Sequence, residues 1–351
     1  LAMPSTTIAI CLMGLAGGIL AALMIAGFRF AIEQGAYLVG NDSYWQQPLP
    51  TTYRFLLPII AAAIVYVLFR LSGSKHVRMG IPYVIHRMKQ HYGMLPWRST
   101  VNQFFGGIIA LVAGFSVGRE GPAVHLGAAA ATWLGFHFDA PKNAIRTLAA
   151  CGIAAAIAAS FNTPLAAMVL VMEVVLREYK VHVFIPVMLS AVAGSLITEE
   201  IFGVASELAV LSAQDIPTTQ LPWVMLLGVV LGFVGVLFKK LMLDVMETVQ
   251  DMSLLTRLLF AGLITAMLAV IIPSSLGPGL TAIEQVLNHQ GEMSLLTTLL
   301  IAKLFASAIA LGMGIPGGLI GAVFGIGAII AAVFVGAVNG LDIQQPLSFD
   351  S

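Results

Sequence analysis

Apolar runs of about 20 residues recur from one end of this 351-residue chain to the other, and glycine and proline interrupt several of them. A run of that length crosses a hydrocarbon core of roughly 30 Å as a helix. The chain must therefore fold in a bilayer, as an all-α polytopic membrane protein. Charged residues make up 10% of it, where a water-soluble surface needs about a quarter. A net charge of zero leaves no electrostatic footprint for a nucleic-acid partner. Seven histidines are scattered without metal-ligand spacing, so no metal is expected, and no cofactor motif is present. Cys11 and Cys151 lie in apolar runs and read as small buried hydrophobes. No Ser-His pairing or HExxH is present, and an enzyme is not expected.

Hydrophobic segments fall at 7–32, 54–70, 101–117, 120–135, 143–158, 163–177, 182–202, 221–242, 256–273, 294–312 and 317–338. The stretches 81–89, 120–135, 163–177 and 279–289 read as half-helices or tilted pieces. Broken helices at membrane depth are tolerated only where protein or a cavity surrounds them. Between Glu33 and Tyr53 there is no Lys or Arg, whereas Arg70, Lys75, Arg78, Arg87, Lys89 and Arg98 crowd the next connection. The second stretch is thus cytoplasmic, and the first helix runs outward. The start at Leu1 and the polar tail Gln344–Ser351 read as cuts rather than natural termini.

Three glycine-rich breaks carry the chemistry. Gly118-Arg119-Glu120-Gly121-Pro122 joins two apolar segments, and Pro122 suits a first helical turn. A helix start exposes unpaired N–H groups and a partial positive charge, which suits an anion. Glu120 stands in the middle of that start, and an ionisable carboxylate at membrane depth points to function. Ionised, it competes with an anion for the site; protonated, it swings away, which links anion occupancy to proton binding. The plain alternative is a pairing with Arg119. The second break is Gly314-Ile315-Pro316-Gly317-Gly318, running into Leu319-Ile320-Gly321-Ala322, and the third is Met79-Gly80-Ile81-Pro82. Together they would aim three helix starts at the midplane, as discontinuous helices of transporters do.

These residues resemble the signatures of the CLC chloride channel and transporter family. GREGP at 118–122 matches, as do FFGG at 104–107, Phe161-Asn162-Thr163-Pro164-Leu165-Ala166 running into Met172-Glu173, and PGG at 316–318. The resemblance implies an inverted-repeat fold of tilted and broken helices, with halves at 1–203 and 204–351. It implies a multi-pass protein of the bacterial inner membrane, working as a homodimer among lipids with one pore per subunit. Glu120 would be the gating, proton-linked glutamate. Backbone amides of Met79, Gly80, Ile81, Arg119, Glu120, Gly121, Leu319, Ile320 and Gly321 would line the path of chloride or a similar anion.

Departures from the family pattern sharpen the expectation. Met79 stands where well-known members place a serine hydroxyl, and a thioether has no proton to give. Ile320 replaces an aromatic residue, and Ala322 the closing proline. Gln103 stands where a lysine is frequent. The internal-acid region reads Glu173-Val174, and valine cannot titrate. The resemblance implies that the family's last helices, with a tyrosine that helps hold the central anion, would lie beyond residue 351. On Val174 the sequence leans to a voltage-gated-type chloride channel; the alternative is a proton-coupled chloride antiporter. His125 reads as a hydrogen-bonded packing residue, with a pore-facing place as the alternative. Glu173 reads as a contact to a helix end or loop amide, with ions as the alternative. Lys303 reads as a snorkelling or carboxylate-paired cation.

Overall fold

The computed structural model describes residues 4–40, 49–73, 80–203, 218–279, 283 and 293–339. Among these residues every regular element is a helix. Among the described residues, eight helices are long and apolar enough to cross a membrane. The first half contains α1 (Pro4–Leu38), α2 (Thr51–Leu71), α3 (Gly80–Gln90) and α4 (Trp97–Val112). It continues with α5 (Glu120–His137), α6 (Lys142–Phe161), α7 (Pro164–Leu170) and α8 (Val181–Phe202). The second half holds α9 (Leu221–Thr248), α10 (Leu254–Ile271), α11 (Met293–Gly312) and α12 (Ile320–Asn339).

Small residues decide the packing. Helix α6 reads Ala149-Ala150-Cys151-Gly152-Ile153-Ala154-Ala155-Ala156, and all of these are buried. Its surface is apolar on every side, which suits a helix enclosed on every side. Helices α1, α5 and α8 surround it. Without side chains in the way, backbones come close enough for van der Waals contact, the main source of helix association in lipid. Gly127 of α5 and Gly152 of α6 meet each other's carbonyl oxygens, leaving no room for a Cβ on either. Gly18 of α1 likewise lies against Ser190 of α8, whose hydroxyl donates to the Gly14 carbonyl at 2.7 Å. Helix α9 is the opposite case. Only Phe238 along it is buried, and Val229, Phe233 and Val236 are open.

Helix ends follow local chemistry. Asn162 closes α6 in the left-handed conformation with φ 55°, its N–H bonded to the Ala158 carbonyl. Thr163 then leaves the helical region at φ −129° and ψ 72°, and Pro164 opens α7 because its missing N–H is not needed there. The expected segment 163–177 is two pieces, α7 and a π-helical turn at Val171–Leu176 that Arg177 ends at φ 56°. The segment expected at 101–117 begins earlier and stops at Val112, because Gly114 turns the chain at φ 82°. The stretch 81–89 forms α3 as expected. Most of 279–289 lies outside the described residues, as does the proposed boundary near 203–204 on its C-terminal side.

The two halves repeat one motif 200 residues apart. In the first, Ala113, Gly114 and Phe115 donate to the carbonyls of Ile109, Leu111 and Ala110. In the second, Met313, Gly314 and Ile315 donate to those of Ile309, Leu311 and Ala310. Helix pairs α4–α5 and α11–α12 are therefore the same helix–break–helix hairpin, used twice.

Replacing Gly152 by Leu is expected to destabilise the protein by about 3 kcal/mol or more, since the bulk would force the backbones of α5 and α6 apart. Gly228→Leu, on the open face of α9 with nothing within 4 Å, is expected to leave it unchanged. Thermal unfolding in detergent compares the two.

Candidate functional site

The two hairpins meet at their breaks. Gly118 N–H donates to the Gly318 carbonyl at 2.7 Å, and Gly318 N–H donates to the Gly118 carbonyl at 2.6 Å. This reciprocal pair is an antiparallel bridge between two loops in the protein interior. It satisfies backbone groups that lipid could not. The approach is so close that a Cβ on Gly121 would run into the Gly317 carbonyl. Helix α4 makes room from below. A methyl group at Gly106 would lie 2.9 Å from Pro316 Cγ, and one at Gly107 would lie 2.9 Å from Pro122 Cγ. The FFGG stretch thus lets one helix support the prolines of both breaks.

The Glu120 carboxylate sits at this crossing and is 2% exposed. Its cradle is made of glycines. A Cβ on Gly118 or Gly318 would collide with its oxygens, and one on Gly321 would come within 2.8 Å of Oε1. Arg119 turns away toward α6, donating to the Ser160 carbonyl with its guanidinium 6.0 Å from the Phe161 ring. Helix starts α5 at Glu120 and α12 at Ile320 flank the crossing. Gly80, at φ 76°, opens α3 and lies near the Gly317 carbonyl, 3.8 Å from where its Cβ would be.

Most of the expected residues thus come together. Gly80, Ile81, Gly121, Leu319 and Ile320 line a common cavity of about 1020 Å³. His86, Arg87, His91 and Arg257 also line it, with no carboxylate. Glu120 and Gly321 neighbour Gly121 and Ile320 in the chain without lining the cavity, and Arg119 lines a separate small pocket with Phe28, Ser160 and Phe202. Met79 lies outside the described residues. Glu173 and Val174 do not line this cavity; both stand uncovered on the π-helical turn.

Sequence reasoning missed the turn after α10. Lys303 was expected to snorkel or to pair with a carboxylate, and it does neither. It is fully buried, and its Nζ donates to the carbonyls of Ser275 (3.1 Å), Leu276 (3.2 Å) and Gly277 (2.7 Å). Three donors meet three acceptors, so no carboxylate is needed. The same turn reaches the site, because Gly277 N–H donates to the Gly114 carbonyl and the Pro278 carbonyl lies 3.1 Å from a Cβ placed on Gly321. One turn further along α11, Ser307 shares a 2.7 Å hydrogen bond with Ser116, just ahead of Gly118. No signal in the sequence pairs Lys303 with residues 275–277; the acceptors are plain backbone.

Paired broken helices around a buried carboxylate, within eight spanning-length helices, define an integral membrane transport protein. A family model described as voltage gated chloride channel matches residues 58–350, and the chain belongs to this family, the CLC anion-transport proteins. The H(+)/Cl(-) exchange transporter ClcA of Vibrio vulnificus (strain YJ016) is 28% identical over 350 residues, covering 94% of this chain and 73% of the relative. The structure of a slow cyanobacterial Cl-/H+ antiporter matches with a TM-score of 0.81 at 23% identity, over 100% of this chain and 84% of the other. A CLC-type fluoride/proton antiporter matches with a TM-score of 0.80 at 22% identity, over 97% and 84%. These two structures show that the fold is shared.

Lys303→Met is expected to leave three carbonyls stranded and to lower stability by more than about 3 kcal/mol. Lys303→Arg, which keeps the charge and the donors, is expected to recover most of that loss. Thermal melts of the purified variants distinguish them.

Proposed function

We propose that this chain exchanges chloride, or a similar small anion, for protons across the membrane, with Glu120 serving both movements. The observation that carries the reading is the lodging of its carboxylate in the glycine cradle between two helix starts. Helix starts favour negative charge, so the ionised side chain and a passing anion compete for one place. Protonation removes that charge and frees the place. Amides of Met79, Gly80, Ile81, Arg119, Glu120, Gly121, Leu319, Ile320 and Gly321 form the anion path in this reading. The basic lining of the large cavity draws anions toward it. The halves at 1–203 and 204–351 each contribute one hairpin, and two chains form the working dimer.

The relatives, named as exchangers, favour exchange over a channel. The channel reading keeps one observation in its favour, the non-titrating Val174 beside Glu173. Proteoliposomes decide between them. With the full-length protein, chloride efflux is expected to drive proton movement in fixed ratio. Glu120→Gln, which stays neutral, is expected to cut proton flux about a hundredfold or more while chloride still moves. Chloride efflux from the parent without protons would favour the channel. A mutant that matched the parent in both fluxes would remove Glu120 from the mechanism.

A further inference from the structure

An exchanger needs a route from the cytoplasm to Glu120, and the structure holds buried polar groups that the fold leaves unsatisfied. Gln103 of α4 is completely buried, and among the described residues neither end of its amide has a hydrogen-bond partner. His125 of α5 is completely buried too, and its Nδ1 has none. A polar group buried without partners is costly, most of all in a membrane interior. Such groups usually hold ordered water when the site is polar enough.

Their placement is directional. His125 Nε2 lies 3.5 Å from Ser99 Oγ and 3.4 Å from Thr100 Oγ1. Those hydroxyls are half-buried in the first turn of α4, next to Arg98, at the basic end of the molecule. On its other side the imidazole stacks on Tyr83 at 5.8 Å, and Tyr83 lines the large cavity. Ser99, Gln103 and Gly107 are spaced i, i+4, i+8 along one stripe of α4. Ser99 meets His125, and Gly107 meets Pro122, two residues past Glu120. Gln103 therefore lies between the hydroxyl end and the start of α5.

The repeat supplies an internal comparison. Position 103 in the first half corresponds to 303 in the second, by the 200-residue offset of the hairpins. There, Lys303 has every donor matched by a backbone carbonyl. The fold is able to satisfy a polar side chain at this place from its own backbone, and at Gln103 it does not.

We propose that Ser99, Thr100, His125 and Gln103 form the inner leg of the proton route to Glu120, in place of an acid at position 174; this rests on the exchange reading above. Hydroxyls and a neutral imidazole each donate and accept. At rest the hydroxyls donate to the Pro96 carbonyl; when one turns to His125 Nε2 and passes a proton to it, Nδ1 releases its own. A water held by the Gln103 amide takes the released proton and delivers it to the Glu120 carboxylate. One proton enters and one leaves, the ring ends neutral, and its reorientation resets the tautomer.

The test is flux from proteoliposomes of the full-length protein, with chloride and external pH recorded together. His125→Leu and Gln103→Leu are expected to lower proton flux about tenfold while chloride flux stays within about twofold. His125→Gln fills similar space without a relaying ring, and is expected to behave as His125→Leu does. Unchanged coupling in the His125 and Gln103 variants overturns the proposal. Parallel loss of both fluxes in all three variants overturns it as well, in favour of a packing role. A parent that moves no protons at all removes the exchange reading itself, and that result is read before any variant is made.

Discussion

Two backbone hydrogen bonds, between Gly118 and Gly318 in both directions, hold the centre of this protein together. Each break in a membrane helix strands amides and carbonyls where no water can reach them. Here the two breaks satisfy one another, so neither is stable without its counterpart. The bridge also dictates composition for several residues around it. Gly121, Gly317 and Gly318 tolerate no side chain because the loops are already in contact, and Gly106 and Gly107 admit the two prolines. Side-chain bulk is excluded from the crossing, and that exclusion leaves room for one carboxylate.

Much of this arrangement was legible in the sequence. Length and apolarity located the spans, and glycine with proline located the breaks, because both signals act through local backbone physics. Glu120 stood out because a lone acid in an apolar setting has few structural uses. The partners of the breaks were not legible. That Gly118 faces Gly318 depends on the register between hairpins 200 residues apart, and no local property encodes it. Lys303 was misread for the same reason. Its acceptors are carbonyls, which every residue carries, so the sequence around 275–277 offers no charge to match. The end of α4 was overrun by five residues because Ala113–Val117 is as apolar as the helix before it, and only the positive φ of Gly114 separates them.

The two hairpins share a backbone pattern but not a set of side chains. Glu120 opens α5, whereas Ile320 opens α12 at the equivalent place; Gln103 in one hairpin answers to Lys303 in the other. Symmetry of the main chain thus provides two equivalent helix starts, and asymmetry of a few side chains makes one of them titratable. The polar stripe toward the basic end belongs to the titratable half. In the other hairpin the corresponding position carries the Lys303 ammonium, which is bound within the fold by a turn that braces Gly321 beside the crossing.

Lys303 also bears on how the chain is made. A lysine near the middle of a spanning segment opposes its entry into lipid by about 3 kcal/mol, and α11 carries that handicap. The carbonyls that relieve it belong to the turn that follows α10, which leaves the ribosome first. Chain order therefore presents the acceptors before the cation arrives. One ammonium group thereby ties α11 to the turn at the end of α10.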